Sequence, residues 1–212
     1  MATIILVMGW SSVAWPALPS AILVENPGQA SLSSHIEYLE DKEGTLTIHE
    51  VATSSEFTDA GEDTPNFGFT DSVYWFRFSI TNNTKHDTLL LEQGYTHIDY
   101  ISLFSRNQDG GFKEEQSGDM LPFKQRARPY RTITFEMNVE PGETKTFFVR
   151  IQTSGSIQLP LKVYTEATFS QVSERESAAL GAFYGIILVM IVFNMLLWMS
   201  LRDNTYLSYV GY

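Results

Sequence analysis

An apolar run near the C-terminal end, residues 178–201, constrains this chain more than any other feature because it holds no charged side chain. At about 1.5 Å per residue, a helix over this run is roughly 36 Å long, enough to cross a hydrocarbon core of about 30 Å. Residues 202–204 then form a short polar turn, and residues 205–212 have the character of a second membrane helix. The pattern predicts the first part of a polytopic protein whose partner is the lipid bilayer.

The N-terminal segment, residues 1–21, has an apolar stretch at 4–8 followed by small residues and prolines. This pattern is typical of a secretory signal peptide, cleaved after Ala14 or near Ala21. The segment lacks Lys and Arg, so an uncleaved anchor and a buried strand remain alternatives. The predicted layout is a signal peptide at 1–21, an extracytoplasmic β-sandwich at 22–165, a juxtamembrane helical lead-in at 166–177, transmembrane helix 1 at 178–201, and a cytoplasmic turn with the start of a second helix at 202–212.

The part before the membrane run is acidic and has no cysteine. The formal net charge of the chain is −11, which disfavours nucleic acid and anionic lipid as partners because both would be repelled. Without cysteine no disulfide framework supports the fold, and this fits a bacterial periplasmic domain. Acidic residues crowd residues 37–63, which we interpret as a solvated acidic face. A calcium loop at 59–63 is the alternative, although it lacks the ligand spacing of an EF-hand.

Short β-rich runs separated by Gly, Pro, Asn and Asp predict a mainly β domain, with seven or eight strands in a sandwich. The turn signals are Asn82-Asn83, Pro141-Gly142 and residues 109–111, which would close a hairpin. The predicted strands are residues 45–51, 73–81, 88–93, 100–105, 112–116, 131–139, 144–153 and 159–164.

Alternation within these runs predicts which side chains share a face. Two strands carry an aromatic-x-Arg pair on the less apolar face, Trp75 with Arg77 and Phe148 with Arg150. Aromatic rings stack on flat ligands and Arg binds carboxylates or paired hydroxyls. The predicted ligand-binding residues are therefore Trp75, Arg77, Tyr95, Arg131, Phe148 and Arg150. The alternative is that Trp75 is core and that the arginines bond to loop carbonyls or acids.

Two further features of the soluble part have open interpretations. The basic cluster at residues 124–131 either binds an anion or pairs with the acidic residues of 37–63. Motifs for a serine nucleophile, a zinc protease or a phosphate loop are missing from the sequence, and there is no Cys nucleophile. The four histidines are scattered without metal-ligand spacing. We therefore predict no catalytic residue, no metal site, no cofactor and no enzymatic activity within this chain.

The apolar run itself carries features of a helix bundle. Gly181 and Gly185 form a small-x-x-x-small motif, which lets another helix approach closely. Asn194 lies deep in the run, where an amide without a partner is unfavourable, so it should face other helices. At about 100° per residue Asn194 points away from both glycines. A bundle therefore covers these positions better than one partner helix does.

An ordered set of short motifs runs through the whole chain. Those of the soluble part are Gly68-Phe69-Thr70, residues 73–78, Asn82, residues 117–119, residues 121–123, Arg131, residues 141–144, residues 150–156 and residues 159–161. Those around the membrane run are residues 183–185, Asn194, Ser200, Arg202-Asp203, Tyr206-Leu207 and Tyr209. In this order they resemble a bacterial family, the seven-transmembrane receptors with diverse intracellular signalling modules. Residues 45–212 take part, and the soluble part resembles the type-2 extracellular domain of that family.

This resemblance implies a jelly-roll-like sandwich related to carbohydrate-binding modules, seven membrane helices, and a histidine kinase, diguanylate cyclase or phosphatase module in the cytoplasm. We therefore predict the ligand-sensing part of a signalling receptor in the bacterial inner membrane, with residues 22–177 outside the cytoplasm. Its expected partners are a small-molecule or carbohydrate ligand, further membrane helices and a cytoplasmic module of the same protein. A homodimer is left open. A transporter or channel ectodomain and a membrane-anchored enzyme ectodomain are the alternatives.

Overall fold

The computed structural model describes residues 19–25, 28–61, 64–107, 109–126, 128 and 130–211. The predicted signal peptide at 1–21 falls mostly outside these residues. The chain divides into two compact units, the first ending at Thr165 and the second beginning at Glu166. The first is almost entirely β, and the second is helical.

The described strands of the first unit are numbered in chain order. They are β1 (Ala21–Val24), β2 (Gln29–Ser31), β3 (Glu37–Asp41), β4 (Thr58–Asp59), β5 (Asn66–Phe69), β6 (Val73–Asn82), β7 (Thr88–Gln93), β8 (Tyr100–Arg106), β9 (Phe112–Ser117), β10 (Ile133–Asn138), β11 (Thr144–Gln152), β12 (Ser156–Gln158) and β13 (Leu161–Thr165). The helices are α1 (Ile48–Thr53), α2 (Glu166–Leu201) and α3 (Asn204–Gly211).

Two main sheets form a sandwich. Within the described residues the large sheet has seven strands in the order β4-β3-β6-β11-β8-β9, with β1 parallel to β6, and the small sheet has the order β10-β7-β13-β2. Alternate apolar residues of both sheets, such as Phe76 and Phe78 of β6, Val149 of β11 and Leu91 of β7, form the main core between them. The prediction of a mainly β sandwich followed by a long apolar helix is confirmed.

The prediction of a strand at residues 45–51 is wrong, because this segment contains α1. Thr47 caps the helix: its hydroxyl accepts a hydrogen bond from the Glu50 backbone N–H, and the Glu50 carboxylate accepts one from the Thr47 backbone N–H at 2.8 Å. This capping box satisfies two backbone donors that a helix start leaves free. Hydrogen bonds from the Thr47 backbone and hydroxyl to the carboxylate lower the pKa of Glu50.

The acidic segment is more than a solvated face. Asp41 is buried, and its two carboxylate oxygens accept hydrogen bonds from the backbone N–H groups of Thr45 and Leu46. These bonds fix the start of the loop that leads to α1. Beside them, burial raises the pKa of Tyr74, and the neighbouring Glu40 carboxylate raises it further.

The second unit begins without a linker, since β13 ends at Thr165 and α2 begins at Glu166. α2 runs unbroken through Leu201 and is the described helix that is long and apolar enough to cross a membrane, with a mean hydropathy of 2.4 over its most apolar window. Arg202, with a φ of 51°, turns the chain into α3. The Trp198 indole N–H donates to the Asn204 side chain at 3.2 Å across this turn. The division of α2 into a lead-in and a membrane segment at residue 178 stays a prediction.

Candidate functional site

Four of the six predicted ligand-binding residues lie together on the outer face of the large sheet. β11 pairs with β6 so that Arg150 is opposite Trp75 and Phe148 is opposite Arg77. The guanidinium carbon of Arg150 lies 5.9 Å from the centre of the Trp75 ring. The alternation in sequence therefore placed these side chains on one surface.

That outer face is covered by the chain itself. Trp75 is 1% exposed and Phe148 is 5% exposed. Both belong to a second apolar core, which Val51 of α1 and the flanking Leu46 and Phe57 help to form. The expectation that Trp75 and Phe148 line an open concave face is therefore corrected, because the segment around α1 occupies that face.

The Arg77 side chain is buried and forms an ion pair within the sandwich. It is 3% exposed, and its Nε donates to the Glu37 carboxylate at 2.8 Å, while Nη2 lies 2.6 Å from the same oxygen. Its guanidinium carbon is 4.1 Å from the centre of the Phe57 ring. Arg150 is only half-buried and donates to the Gln152 side chain at 3.2 Å. Of the four residues, Arg150 is the one that reaches the margin of the covered face.

The other two predicted residues, Tyr95 and Arg131, belong to a different part of the sandwich. Gln93 at the end of β7 pairs with Ile133 at the start of β10, so Tyr95 and Arg131 lie at one end of the small sheet. Tyr95 is half-buried with its ring 5.5 Å from that of His97, and Arg131 is exposed. The six residues therefore do not converge on one site.

One residue of the basic cluster pairs with an acid outside residues 37–63. Arg128 donates to the Glu136 carboxylate of β10 at 2.9 Å. Glu136 lies outside the acidic segment 37–63, so this ion pair does not join the two segments as the sequence suggested.

A polar groove lies at one end of the sandwich, and the sequence did not identify it as a site. Its volume is about 640 Å³. It is formed where the turns β6–β7, β8–β9 and β10–β11 meet. Its lining residues are Asp87, Arg106, Asn107, Asn138, Val139, Glu140, Pro141, Glu143 and Lys145. We call this concavity the turn groove.

The turn groove lies at the end of the sandwich where β13 finishes. Asn138 at the end of β10 is opposite Thr88 at the start of β7, and Thr165 at the end of β13 is opposite Leu89. β7 therefore begins beside Asp87 of the groove and pairs along its length with the strand that continues into α2.

Asn82 holds two of the groove's turns together. It is fully buried, and its side-chain N–H group donates to the carbonyls of His86 and Val139, each at 2.6 Å. Its side-chain oxygen accepts from the Thr84 hydroxyl at 2.7 Å. The Gly142 backbone N–H, in a glycine with a φ of 83°, donates to the Asn82 carbonyl at 2.7 Å. Asn82 thus fixes the β6–β7 turn against the β10–β11 turn.

Parts of the groove could be recognised from the sequence. Asn82-Asn83 and Pro141-Gly142 were predicted as turns, and charged residues flank them at Asp87, Glu140 and Lys145. That these turns meet depends on the strand order, which the sequence pattern does not reveal.

The helical unit contains a second, apolar hollow of about 350 Å³, lined by Ile187, Met190, Ile191, Asn194 and Tyr209. The Asn194 side chain donates to the Met190 carbonyl at 2.8 Å, which satisfies one of its donors within α2. A Cβ added at Gly181 or Gly185 would meet nothing within 4 Å among the described residues. Packing of other helices at these three positions stays a prediction.

Two family models match this chain. One, described as 7TMR-DISM extracellular 2, matches residues 33–165, and the other, described as 7TM diverse intracellular signalling, matches residues 176–212. The first covers more than half of the sequence. The resemblance seen in the sequence motifs is therefore confirmed, and the matches indicate a membrane protein with an extracellular sensor segment. No curated protein matches the sequence.

The solved structures to which this chain is similar include three with 14% identity or less. TmCBM61, in complex with β-1,4-galactotriose, has 14% identity and a TM-score of 0.36, covering 69% of this chain and 100% of that one. A structure of carbohydrate-binding modules from the β-sandwich superfamily has 9% identity and a TM-score of 0.27, covering 66% and 56%. The enzymatically active domain of bacteriophage CBA120 tailspike protein 4 has 10% identity and a TM-score of 0.28, covering 65% and 18%. Structural similarity this low gives no information about individual residues of the site.

Proposed function

Because this chain belongs to the 7TMR-DISM extracellular 2 family, we propose that its β-sandwich binds a small polar ligand in the turn groove and relays that binding into the membrane. The observation that carries the proposal is the position of the groove at the end of the sandwich where β13 finishes. β13 then continues into α2 without an intervening residue. The groove's end of the sandwich is therefore connected, through the pairing of β7 with β13, to the strand that α2 directly follows.

The size and lining of the groove favour a small polar compound. Pockets for small molecules have volumes of about 300–1,000 Å³, and the turn groove, at about 640 Å³, lies in this range. Most of its lining residues are polar, with carboxylates, side-chain amides, a lysine and an arginine, and Val139 and Pro141 are the apolar ones. Such groups form hydrogen bonds with hydroxyl, amine or acid groups of a ligand. A carbohydrate is one class of ligand that they suit.

The relay would use strand pairing. Asp87 lines the groove and precedes β7, and β7 is hydrogen-bonded to β13 from Leu89 to Gln93. A ligand that binds one arrangement of the turns more tightly shifts the protein towards that arrangement. Because β13 and α2 are continuous, the shift would reach the helix.

The proposal extends to the rest of the receptor. The sandwich would lie outside the cytoplasm of a bacterium, and α2 would cross its inner membrane as the first helix of a bundle. Further helices and a cytoplasmic signalling module of the same protein would receive the signal, in a monomer or a homodimer. Within this chain we propose binding and no catalysis.

Binding to the full chain in lipid nanodiscs tests the proposal. Isothermal titration with saccharides, sugar acids, polyols and amino acids should yield a ligand whose affinity falls at least about tenfold in the variants Asp87→Asn and Lys145→Met. Asp119→Asn and Lys113→Met are matched controls, since both residues are exposed and neither lines the groove. A ligand that binds the groove variants as tightly as the parent would contradict the site, and a complete lack of binding would contradict the function.

A further inference from the structure

Three charged groups of the turn groove, those of Lys145, Glu143 and Asp87, form no ion pair with one another. Among the described residues, no carboxylate lies within 4.0 Å of the Lys145 ammonium; this group instead donates to the Asn138 backbone carbonyl at 3.0 Å. Oε2 of Glu143 accepts from the Glu140 backbone N–H at 2.8 Å. Oδ1 of Asp87 accepts from the Thr88 hydroxyl at 3.1 Å. Lys145, Glu143 and Asp87 are thus each bonded to a neutral group.

These contacts use only part of the hydrogen-bonding capacity of Lys145, Glu143 and Asp87. A lysine ammonium has three N–H donors and a carboxylate has two acceptor oxygens. The bond to Asn138 uses one donor of Lys145, and the bonds to Glu143 and Asp87 use one oxygen of each. The remaining donors and oxygens of the three groups are free to make charge-assisted hydrogen bonds, which are stronger than neutral ones.

Groups of both signs come from different strands. Lys145 and Arg106 lie on the adjacent strands β11 and β8 of the large sheet, whereas Asp87 precedes β7 and Glu140 follows β10 of the small sheet. Glu143, which directly precedes β11, adds a further carboxylate beside Lys145. A ligand with a single charge would pair with the groups of one sign only. A neutral ligand could hydrogen-bond to these groups but would supply no opposite charge, and hydrogen bonds between two charged groups are the stronger ones.

We propose that the turn groove takes a zwitterion that carries an ammonium and a carboxylate, the chemical class of the α-amino acids and short peptides. The ligand's carboxylate pairs with Lys145, and its ammonium pairs with Asp87 and Glu143. Both charges of the ligand then have a partner of opposite sign. This inference rests on the proposed function and specifies the ligand class of that same site.

Titration of the full chain in nanodiscs with each of the twenty common amino acids, Gly-Gly-Gly and Ala-Ala-Ala tests the class, with β-1,4-galactotriose as the neutral polyhydroxylated probe. The best binder is then compared with its N-acetyl and its carboxamide derivative. We expect each derivative to bind at least about tenfold more weakly, because each removes one charge.

Variants assign each end of the ligand to its partner. Lys145→Met should weaken the zwitterion about tenfold but leave the affinity of the carboxamide unchanged, since the contact is already lost in that derivative. Glu143→Gln should weaken the zwitterion and leave the N-acetyl form unchanged. The exposed Lys113→Met is the charge-matched control and should alter neither affinity.

The outcomes separate this inference from the function on which it rests. If galactotriose binds, depends on Asp87 and Lys145, and no amino acid or peptide binds, the zwitterion class is wrong and the sensor function stands. Equal binding of the zwitterion and its two derivatives would also overturn the class. If no probe of any chemistry binds, both proposals fail.

Discussion

The outer face of the large sheet and the turn groove differ in the exposure of their side chains: those of the outer face are covered, and those of the groove line an open concavity. On the outer face, Trp75 and Phe148 are packed beneath the α1 segment, and Arg77 is paired with Glu37. In the turn groove, Lys145 and Glu143 face a concavity and are bonded only to neutral groups. Three of the predicted ligand-binding residues, Trp75, Phe148 and Arg77, are therefore buried among other residues of the sandwich.

This contrast follows from where each group of residues lies. A sheet face is wide and flat, so a large aromatic side chain there is stabilised when another segment covers it. Turns at the end of a sandwich lie at the surface, where loops commonly carry function on a rigid scaffold. We therefore expect substitutions on the outer face to change stability and substitutions in the turn groove to change affinity.

The largest effect is expected for Trp75→Ala. The side chain is 1% exposed and its ring lies 5.4 Å from that of Phe104, so its removal leaves a cavity in the second core. The free energy of unfolding should fall by about 3–5 kcal/mol, as measured by denaturation of the full chain. Phe69→Ala is the control, because Phe69 is 83% exposed. A Trp75 variant that kept its stability and lost its ligand would restore the outer face as the binding site.

Asn82→Ala should affect both properties. The substitution removes the donor to the buried Val139 carbonyl and one donor to the His86 carbonyl, which costs about 2–3 kcal/mol of unfolding free energy. It also frees two turns of the groove from each other, so ligand affinity should fall about tenfold. Asn83→Ala is the matched control, because the neighbouring Asn83 is exposed. Unchanged affinity in a folded Asn82→Ala protein would show that the groove does not need this buried side chain.

The fold was largely predictable because alternation is a local property. The pairs Tyr74 and Phe76, or Val149 and Ile151, identify inner-facing residues without knowledge of the partner strand. The segment 45–51 failed because it contains β-branched residues, and the capping signal of Thr47 and Glu50 was not weighed against them. The short strands β1 to β5 and β12 were missed because runs of two to five residues carry little periodicity.

The site was less predictable because it depends on non-local packing. Alternation placed Trp75 and Arg150 on one face, but the cover over that face comes from a segment predicted as a strand. Tyr95 and Arg131 were grouped with them by residue type alone. The turn groove requires three separate turns to meet, and the sequence identified the turns without their neighbours.

A smaller effect is expected for Arg150→Ala, which tests whether the margin of the outer face has a role in binding. Arg150 is half-buried and bonds to Gln152, a neighbour on its own strand. Loss of this contact should lower the unfolding free energy by about 0.5–1 kcal/mol and change ligand affinity less than about twofold if the groove is the site. A tenfold loss of ligand affinity with unchanged stability would indicate that the binding site lies at this margin.

The smallest effect concerns the pH dependence of stability that arises from Glu50 at the start of α1, in the segment that covers the outer face. Hydrogen bonds from Thr47 lower the pKa of Glu50 in the folded protein below its ordinary value of 4.5. A depressed carboxyl pKa stabilises the fold above the ordinary value, and this contribution is lost as the pH falls through the folded value. Glu50→Gln should therefore be less stable than the parent at pH 7, and the difference should shrink at pH 3, as measured by denaturation at both values. A difference that is the same at pH 7 and pH 3 would show that the Glu50 charge does not stabilise the start of α1, and that the cover is held by its apolar contacts with Trp75 and Phe148 alone.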